Sequence, residues 1–323
     1  MRIVRRIVTT GVTMGVAAAM ALATGIAGAG AATAVIRPLP DKSYGLSSYF
    51  GPRCMPIKGA STRHLGQDMS ARKGTRIRTV APGKVVKAGW ASGFGQVVVI
   101  RSTFNGAVVH HVYGHVIDGD KYVRSGQWVR WGQRIADVGS SGTSTAPHLH
   151  LEIWKGAYKG SGTAVSPLIW MRNRDASLSA GAAWKNSLQV PSRCTYYTTT
   201  NVNLRSGPGT NYRVIRAVAV NRKLTAKPGA GSGVWRKVTY GSTTGWMHAN
   251  YVSPGLTSLG TRYVKVDGLR LRATASTKGR VLDSLDKRQS VKLIWPASGS
   301  WVRVYVGGKQ GYVATKYLSR ARP

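Results

Sequence analysis

The alternation of polar and apolar positions is clearest at Pro147 to Glu152, which reads PHLHLE, with a polar side chain at every second position and leucines between them. That period belongs to a half-buried β-strand, on which alternate side chains share a face. His148, His150 and Glu152 therefore point one way, and Leu149 and Leu151 the other. Further short runs, KVVKAGW at Lys84 to Trp90, GQVVVIRS at Gly95 to Ser102 and AVVHHVYGH at Ala107 to His115, predict strands separated by turn glycines. Forty glycines, ten tryptophans and fourteen tyrosines favour strands and tight turns over long helices, so the chain is expected to be mainly β. With 323 residues it exceeds the usual single-domain range of about 100 to 200, so more than one domain is expected.

The predicted strand at 148–152 places two imidazoles on one wall. Neutral imidazole is a common zinc ligand and the usual proton carrier near neutral pH, so such a pair can divide metal holding from proton transfer. Upstream, His64 and Asp68 in HLGQD offer two more ligands, and His115 in VYGH another imidazole. An alternating histidine pair by itself is more often two hydrogen-bonded surface groups. Here, however, six of the seven histidines fall in three short segments, which chance clustering explains poorly.

These motifs resemble the lysostaphin-type zinc endopeptidases, which cut peptide bonds in bacterial cell-wall peptidoglycan. HLGQD is similar to the family's His-x-x-x-Asp, YGH to its Tyr-x-His and HLHLE to its His-x-His strand, in the same order and spacing, and the likeness spans roughly Tyr44 to Trp170. The resemblance implies an antiparallel-sheet peptidase domain with Zn2+ as cofactor. It implies His64, Asp68 and His150 as zinc ligands, with His115 and His148 as the unliganded catalytic pair. Two histidines and one carboxylate leave a tetrahedral zinc with one position open, the mark of a catalytic rather than a structural site. His148, on the same strand face as His150, is placed to act as base, while His115 could stabilise the oxyanion or protonate the leaving amine; which does which stays open. Glu152 and His111 share these faces and could orient ligands from behind, with solvent-facing side chains as the expectation. His110 and His248 are expected to be structural.

The rest of the chain is organised around this domain. Residues 1–34 read as an export signal, because MRIVRR is a basic start followed by an apolar, alanine-rich stretch ending in small residues. Ala32-Thr33-Ala34 fits the cleavage rule, with two competing sites upstream, and an uncleaved anchor over Ile7 to Ile26 is the alternative. A secreted, extracellular or wall-associated protein is the expectation. Cys54 and Cys194 are the only cysteines, and an exported chain can oxidise them, although they might equally stay free. The peptidase domain is expected over residues 35–175, with a linker over 176–195.

Beyond the linker the chain repeats itself. LRSGPGTNYRVI at Leu204 to Ile215 aligns with LRATASTKGRVL at Leu271 to Leu282, and Trp235 with Trp301 one residue out of step, which implies a shorter loop in the second copy. The two units, 196–254 and 261–320, resemble bacterial SH3-type domains, small β-barrels that commonly attach to cell-wall enzymes and bind wall components. Trp235 and Trp301 are expected to fill their cores. Net charge sharpens the picture, because 47 Lys and Arg face 10 Asp and Glu, and removal of Arg2, Arg5 and Arg6 with the signal takes +37 to +34. Such charge draws the chain to polyanions in a salt-dependent way. Peptidoglycan and anionic wall polymers such as teichoic acids are the expected partners, nucleic acid is not, and a monomer is expected. The expected activity is that of a secreted zinc metalloendopeptidase acting on the stem or cross-bridge of peptidoglycan. The alternative is a non-catalytic wall-binding or polyanion-binding protein with a degenerate peptidase domain.

Overall fold

The computed structural model describes residues 34–186, 190–295 and 299–323. The expected signal segment, its cleavage sites and the alternative anchor lie outside the described residues. Among the described residues no helix is long and apolar enough to cross a membrane.

The first part of the chain contains β1 (Tyr44–Leu46), β2 (Gly51–Pro52), β3 (Arg63–His64), β4 (Gln67–Ala71), β5 (Arg76–Arg78), β6 (Gly83–Ala91) and β7 (Gly95–Phe104). It continues with β8 (Ala107–Val116), β9 (Trp128–Val129), β10 (Arg134–Asp137), β11 (His148–Lys155), β12 (Thr163–Val165), the short helices α1 (Pro167–Arg172) and α2 (Leu178–Gly181), and β13 (Trp184–Lys185). One sheet runs in the order β13-β1-β4-β11-β8-β7-β6-β9, with β12 on β11, and every pairing in it is antiparallel except β1 with β13. The chain is thus mainly β, as the alternation predicts.

Side-chain alternation decides which face of this sheet is the core. Leu149, Leu151 and Ile153 of β11 and Met69 of β4 are buried in the main apolar cluster with Val98, Ile100 and Tyr113. The opposite face holds a smaller cluster of Val97, Val99, Val112 and Trp154 beside the histidines of β11. Register then sets the site, because His150 lies directly opposite Asp68 on β4 and Gly114 on β8.

The stretch expected to be a linker begins inside this domain. Ala176, Leu178 and Ala182 are buried in the main core, the Tyr44 hydroxyl donates to the Leu178 carbonyl at 2.6 Å, and β13 adds to the sheet edge alongside β1. Small residues make the approach close: a Cβ on Gly45 would lie 1.9 Å from the Trp184 ring. The chain therefore stays on the peptidase sheet through Lys185 before it turns to the repeats.

Each repeat is an antiparallel sheet. The first runs from Cys194–Thr198 to Val252–Ser253 and the second from Thr261–Val264 to Leu318–Ser319. Strands Val202–Arg205 and Leu269–Arg272 are 67 positions apart and strands Trp235–Tyr240 and Trp301–Val306 are 66 apart, so the slip falls in the loop before the tryptophans. The cores are built on Tyr196, Leu204, Leu224, Val238 and Met247 in one and Leu271, Val291, Val304 and Val313 in the other. Trp235 and Trp301 are only partly buried and belong to neither core, contrary to the sequence expectation. Each opens a strand and stays partly in contact with water. The two sheets meet at Asn221, whose amide donates to the carbonyls of Thr257 and Ile294 and accepts from the Thr257 N–H.

Candidate metal centre

Three elements deliver the candidate ligands. His64 closes the β2–β3 hairpin, Asp68 sits on β4, and His150 sits opposite it on β11. His64 Nε2 lies 3.0 Å from His150 Nδ1 and 3.2 Å from Asp68 Oδ1, and His150 Nδ1 lies 2.8 Å from Asp68 Oδ1. All three residues are buried. Tetrahedral bonds of about 2.0 to 2.1 Å place neighbouring ligand atoms about 3.3 Å apart, so these spacings match a small dication within a few tenths of an ångström.

Hydrogen bonds behind the rings aim the free nitrogens. A carbonyl oxygen can only accept, so each imidazole nitrogen facing one carries the proton. His64 Nδ1 donates to the Tyr49 carbonyl at 2.9 Å, which leaves Nε2 bare toward the centre. His150 Nε2 donates to Glu152 Oε1 at 3.1 Å, which frees Nδ1 for the same point. Glu152 also accepts from Trp154 Nε1 at 2.7 Å. Glu152 is only 3 % exposed, so it supports His150 and does not face solvent.

The charges favour a cation. Burial opposes ionisation of Asp68, but the His150 and His64 rings against its oxygen hold its carboxyl well below the usual carboxylate range. Burial likewise opposes ionisation of Glu152, and the His150 hydrogen bond outweighs it and lowers its pKa. Burial keeps His64 neutral by pushing its pKa down. Balanced by protons alone, burial also opposes a charge on His150, yet Asp68 and Glu152 flank the ring and raise its pKa to about 9. The Asp68 carboxylate and two imidazole nitrogens converge on one point, with Glu152 a second buried carboxylate behind His150, an arrangement that a dication neutralises and a lone proton half satisfies. The residues present fit zinc.

Two further histidines complete the site. His148 Nδ1 donates to the Ala146 carbonyl at 2.8 Å, and its Nε2 lies 3.6 Å from Asp68 Oδ1. His115 Nδ1 donates to the Ser141 carbonyl at 2.7 Å, and its ring centre is 4.7 Å from that of His148 and 5.7 Å from that of His150. Burial, with the nearby His150 and His148, pushes the His115 pKa down to about 4, so this imidazole is neutral with a bare Nε2. All five sequence candidates thus line one groove of about 510 Å³, to which Arg53, Pro56, Ile57, Ala60 and Phe94 also contribute.

His111 departs from expectation. Strict alternation along β8 puts His111 and His115 on one face, but Gln96 pairs with Val116 and Val97 with Gly114, so His115 is an extra, bulged residue. Its φ of 60° turns the side chain to the face of His150. His111 stays opposite Ile153 on the core side, fully buried against Phe104 and Trp170 with no hydrogen-bond partner on either ring nitrogen. It neither faces solvent nor orients a ligand. His110 donates through Nδ1 to the Gly156 carbonyl, and His248 caps the turn at Asn250, so both are structural.

Residues 62–167 match the description "Peptidase family M23", and residues 200–253 and 267–319 match "Bacterial SH3 domain". The chain carries an M23 peptidase domain followed by two SH3 domains. Among its relatives is an uncharacterized metalloprotease of Haemophilus influenzae, 38% identical over 125 residues, which are 38% of this chain and 24% of that protein. Lysostaphin of Staphylococcus simulans is 34% identical over 143 residues, 43% of this chain and 26% of that protein. The chain thus spans about a quarter of the length of these two relatives. The solved catalytic domain of the antimicrobial peptidase lysostaphin from Staphylococcus simulans shares 33% identity over 40% of this chain and 92% of that one, with a TM-score of 0.35. The M23 match ends at Pro167, yet the structural domain extends to β13.

Proposed function

We propose that this chain is an exported zinc endopeptidase that hydrolyses peptide bonds in the stem or cross-bridge of bacterial peptidoglycan. The observation that carries the reading is the convergence of His64 Nε2, Asp68 Oδ1 and His150 Nδ1 beside the bare nitrogens of His148 and His115. His64, Asp68 and His150 would hold the metal. When bound, zinc supplies a Lewis acid for the scissile carbonyl and lowers the pKa of water from about 16 to about 7.

The chain's own residues supply the remainder. His148 Nε2, 3.6 Å from a ligand oxygen, takes the proton of the attacking water. His115 Nε2, beside His148, is the second proton acceptor: it takes the other proton of that water, and the two rings return their protons to the leaving amine as the carbon–nitrogen bond breaks. The Ala146 and Ser141 carbonyls hold both rings in the tautomer these roles need. The basic and then apolar first residues and the disulfide between Cys54 and Cys194 support export to an oxidising compartment. The two SH3 domains and the formal charge, +34 without Arg2, Arg5 and Arg6, support attachment to a wall rich in anionic polymers such as teichoic acids.

The test separates ligand from base. His150→Ala is expected to lose bound zinc and the release of peptide fragments from purified walls together, whereas His148→Ala keeps zinc and loses turnover by about a hundredfold or more. Fragment masses identify the bond. A His150→Ala variant that still cuts, or a wild-type protein that binds no zinc, overturns the reading.

A further inference from the structure

The segment inside the hairpin that carries His64 packs in the apolar core of the first SH3 domain rather than in that of the peptidase, although Arg53 also donates to Ser48 Oγ at 3.1 Å. β2 and β3 pair Gly51 with His64 and Pro52 with Arg63, so the intervening residues 53–62 and the ligand form one piece. Arg53, Pro56, Ile57 and Ala60 of this segment line the groove. Among the described residues, none of the main peptidase core comes from 53–62. Met55 instead is 2 % exposed and packs in the SH3 core with Tyr196, Leu204 and Met247.

Polar and covalent contacts repeat the pattern. Cys54 is bonded to Cys194. The Met55 N–H donates to the Tyr196 hydroxyl at 2.9 Å, and the Gly229 N–H donates to the Arg53 carbonyl at 3.1 Å. Arg236, only 4 % exposed, donates from Nη2 to the Ala60 carbonyl at 3.0 Å and from Nη1 to the carbonyls of Gly233 and Trp235. A guanidinium taken out of water with no carboxylate beside it is costly to bury, and here its hydrogen bonds tie the SH3 domain to the groove segment. Five contacts therefore clamp the segment along its length.

We infer that the first SH3 domain is a working part of the substrate groove: through Met55, the disulfide, Tyr196 and Arg236 it positions the 53–62 segment and, through the hairpin, the ligand His64. The inference rests on the proposed zinc-peptidase site and deepens it. These are positioning residues, since none of them is among the converging ligand and proton-carrying groups. A domain that merely tethers the enzyme to a wall affects only insoluble substrate. One that shapes the groove changes metal affinity and the KM of a short soluble peptide as well.

The experiment uses the full chain with two variants, Cys54→Ser combined with Cys194→Ser, and Tyr196→Phe, which removes one hydrogen bond and leaves the core ring in place. Four quantities are measured: zinc affinity by chelator competition, hydrogen exchange of residues 51–64, KM and kcat on a soluble cross-bridge peptide, and sedimentation with purified walls. The double variant is expected to exchange faster across 51–64, to bind zinc about tenfold more weakly and to raise KM by a similar factor, while wall sedimentation is retained. Tyr196→Phe shifts the same readouts by about threefold and decides the matter if the double variant does not fold. Exchange, zinc affinity and KM all within twofold of wild type overturn the inference. Should the wild type bind no zinc and cut nothing, the peptidase reading fails on its own, and exchange at 51–64 still decides whether the SH3 domain holds the hairpin.

Discussion

Each histidine of the groove has one nitrogen committed to a protein oxygen, which leaves the other with a single direction and a single job. The partner that matters most for the metal is Glu152, because it accepts both from His150 Nε2 and from Trp154 Nε1. In Glu152→Gln one side-chain oxygen must serve two donors, so one bond is lost and the His150 ring is freed to tilt. Zinc affinity is expected to fall about 10- to 100-fold with the fold intact, measured by chelator competition alongside circular dichroism. His111 makes the opposite case, a titratable ring with no role at the site. Burial lowers its pKa from 6.5 to about 3, so below pH 6.5 the unfolded chain binds a proton that the folded chain refuses. Stability is therefore full above pH 6.5 and falls by up to about 1.4 kcal/mol per pH unit below it. His111→Leu removes that slope and the two orphaned nitrogens, for an expected gain of about 1 to 3 kcal/mol at neutral pH. Urea melts at pH 7 and pH 5 check it, and equal losses in wild type and variant would show that His111 does not titrate in this range.

At the scale of elements, what the sequence reveals depends on whether the information is local. The HLHLE alternation shows which residues of β11 share a face, and register to β4 and β8 then brings Asp68 and Gly114 beside His150. Alternation does not say which face is dry. Glu152 is polar and was expected outward, yet the groove face is covered enough to bury it. Nor does alternation report a bulge. The extra residue at His115 has no local cause, since it requires the consecutive partner residues Gln96 and Val97 to pair with Val116 and Gly114, passing over it, and Ser141 to receive the ring. The carbonyls of Tyr49, Ser141 and Ala146 that set the tautomers leave no trace in side-chain identity. The stretch from Ala176 was unreadable for a related reason. One four-residue helix and a two-residue strand carry too few positions for a period, and the burial of the stretch is decided by the sheet it meets.

For the whole molecule, the distribution of charge and the clamp at Met55 make separable predictions about attachment and catalysis. Among the described residues, lysine and arginine pair with carboxylates only at Arg37–Asp41, Arg53–Asp68, Arg134–Asp137 and Lys309–Asp283. Most lysine and arginine side chains among the described residues therefore have no carboxylate partner in the chain. Their long-range field is screened over a distance that shrinks from about 10 Å at 0.1 M salt to about 3 Å at 1 M. The candidate ligands are buried within hydrogen-bond distance of one another and are screened far less. Salt should thus separate attachment from catalysis in the opposite sense to the Cys54–Cys194 double variant. Between about 0.05 and 0.5 M salt, sedimentation with purified walls is expected to fall more than tenfold, while kcat/KM on a neutral soluble peptide changes less than about threefold. Walls stripped of phosphate polymers should show weak attachment that no longer depends on salt if those polymers are the counter-charge. A parallel fall in soluble-peptide turnover would instead mean that the surface charge helps to hold the groove together, and attachment could no longer be assigned to charge alone.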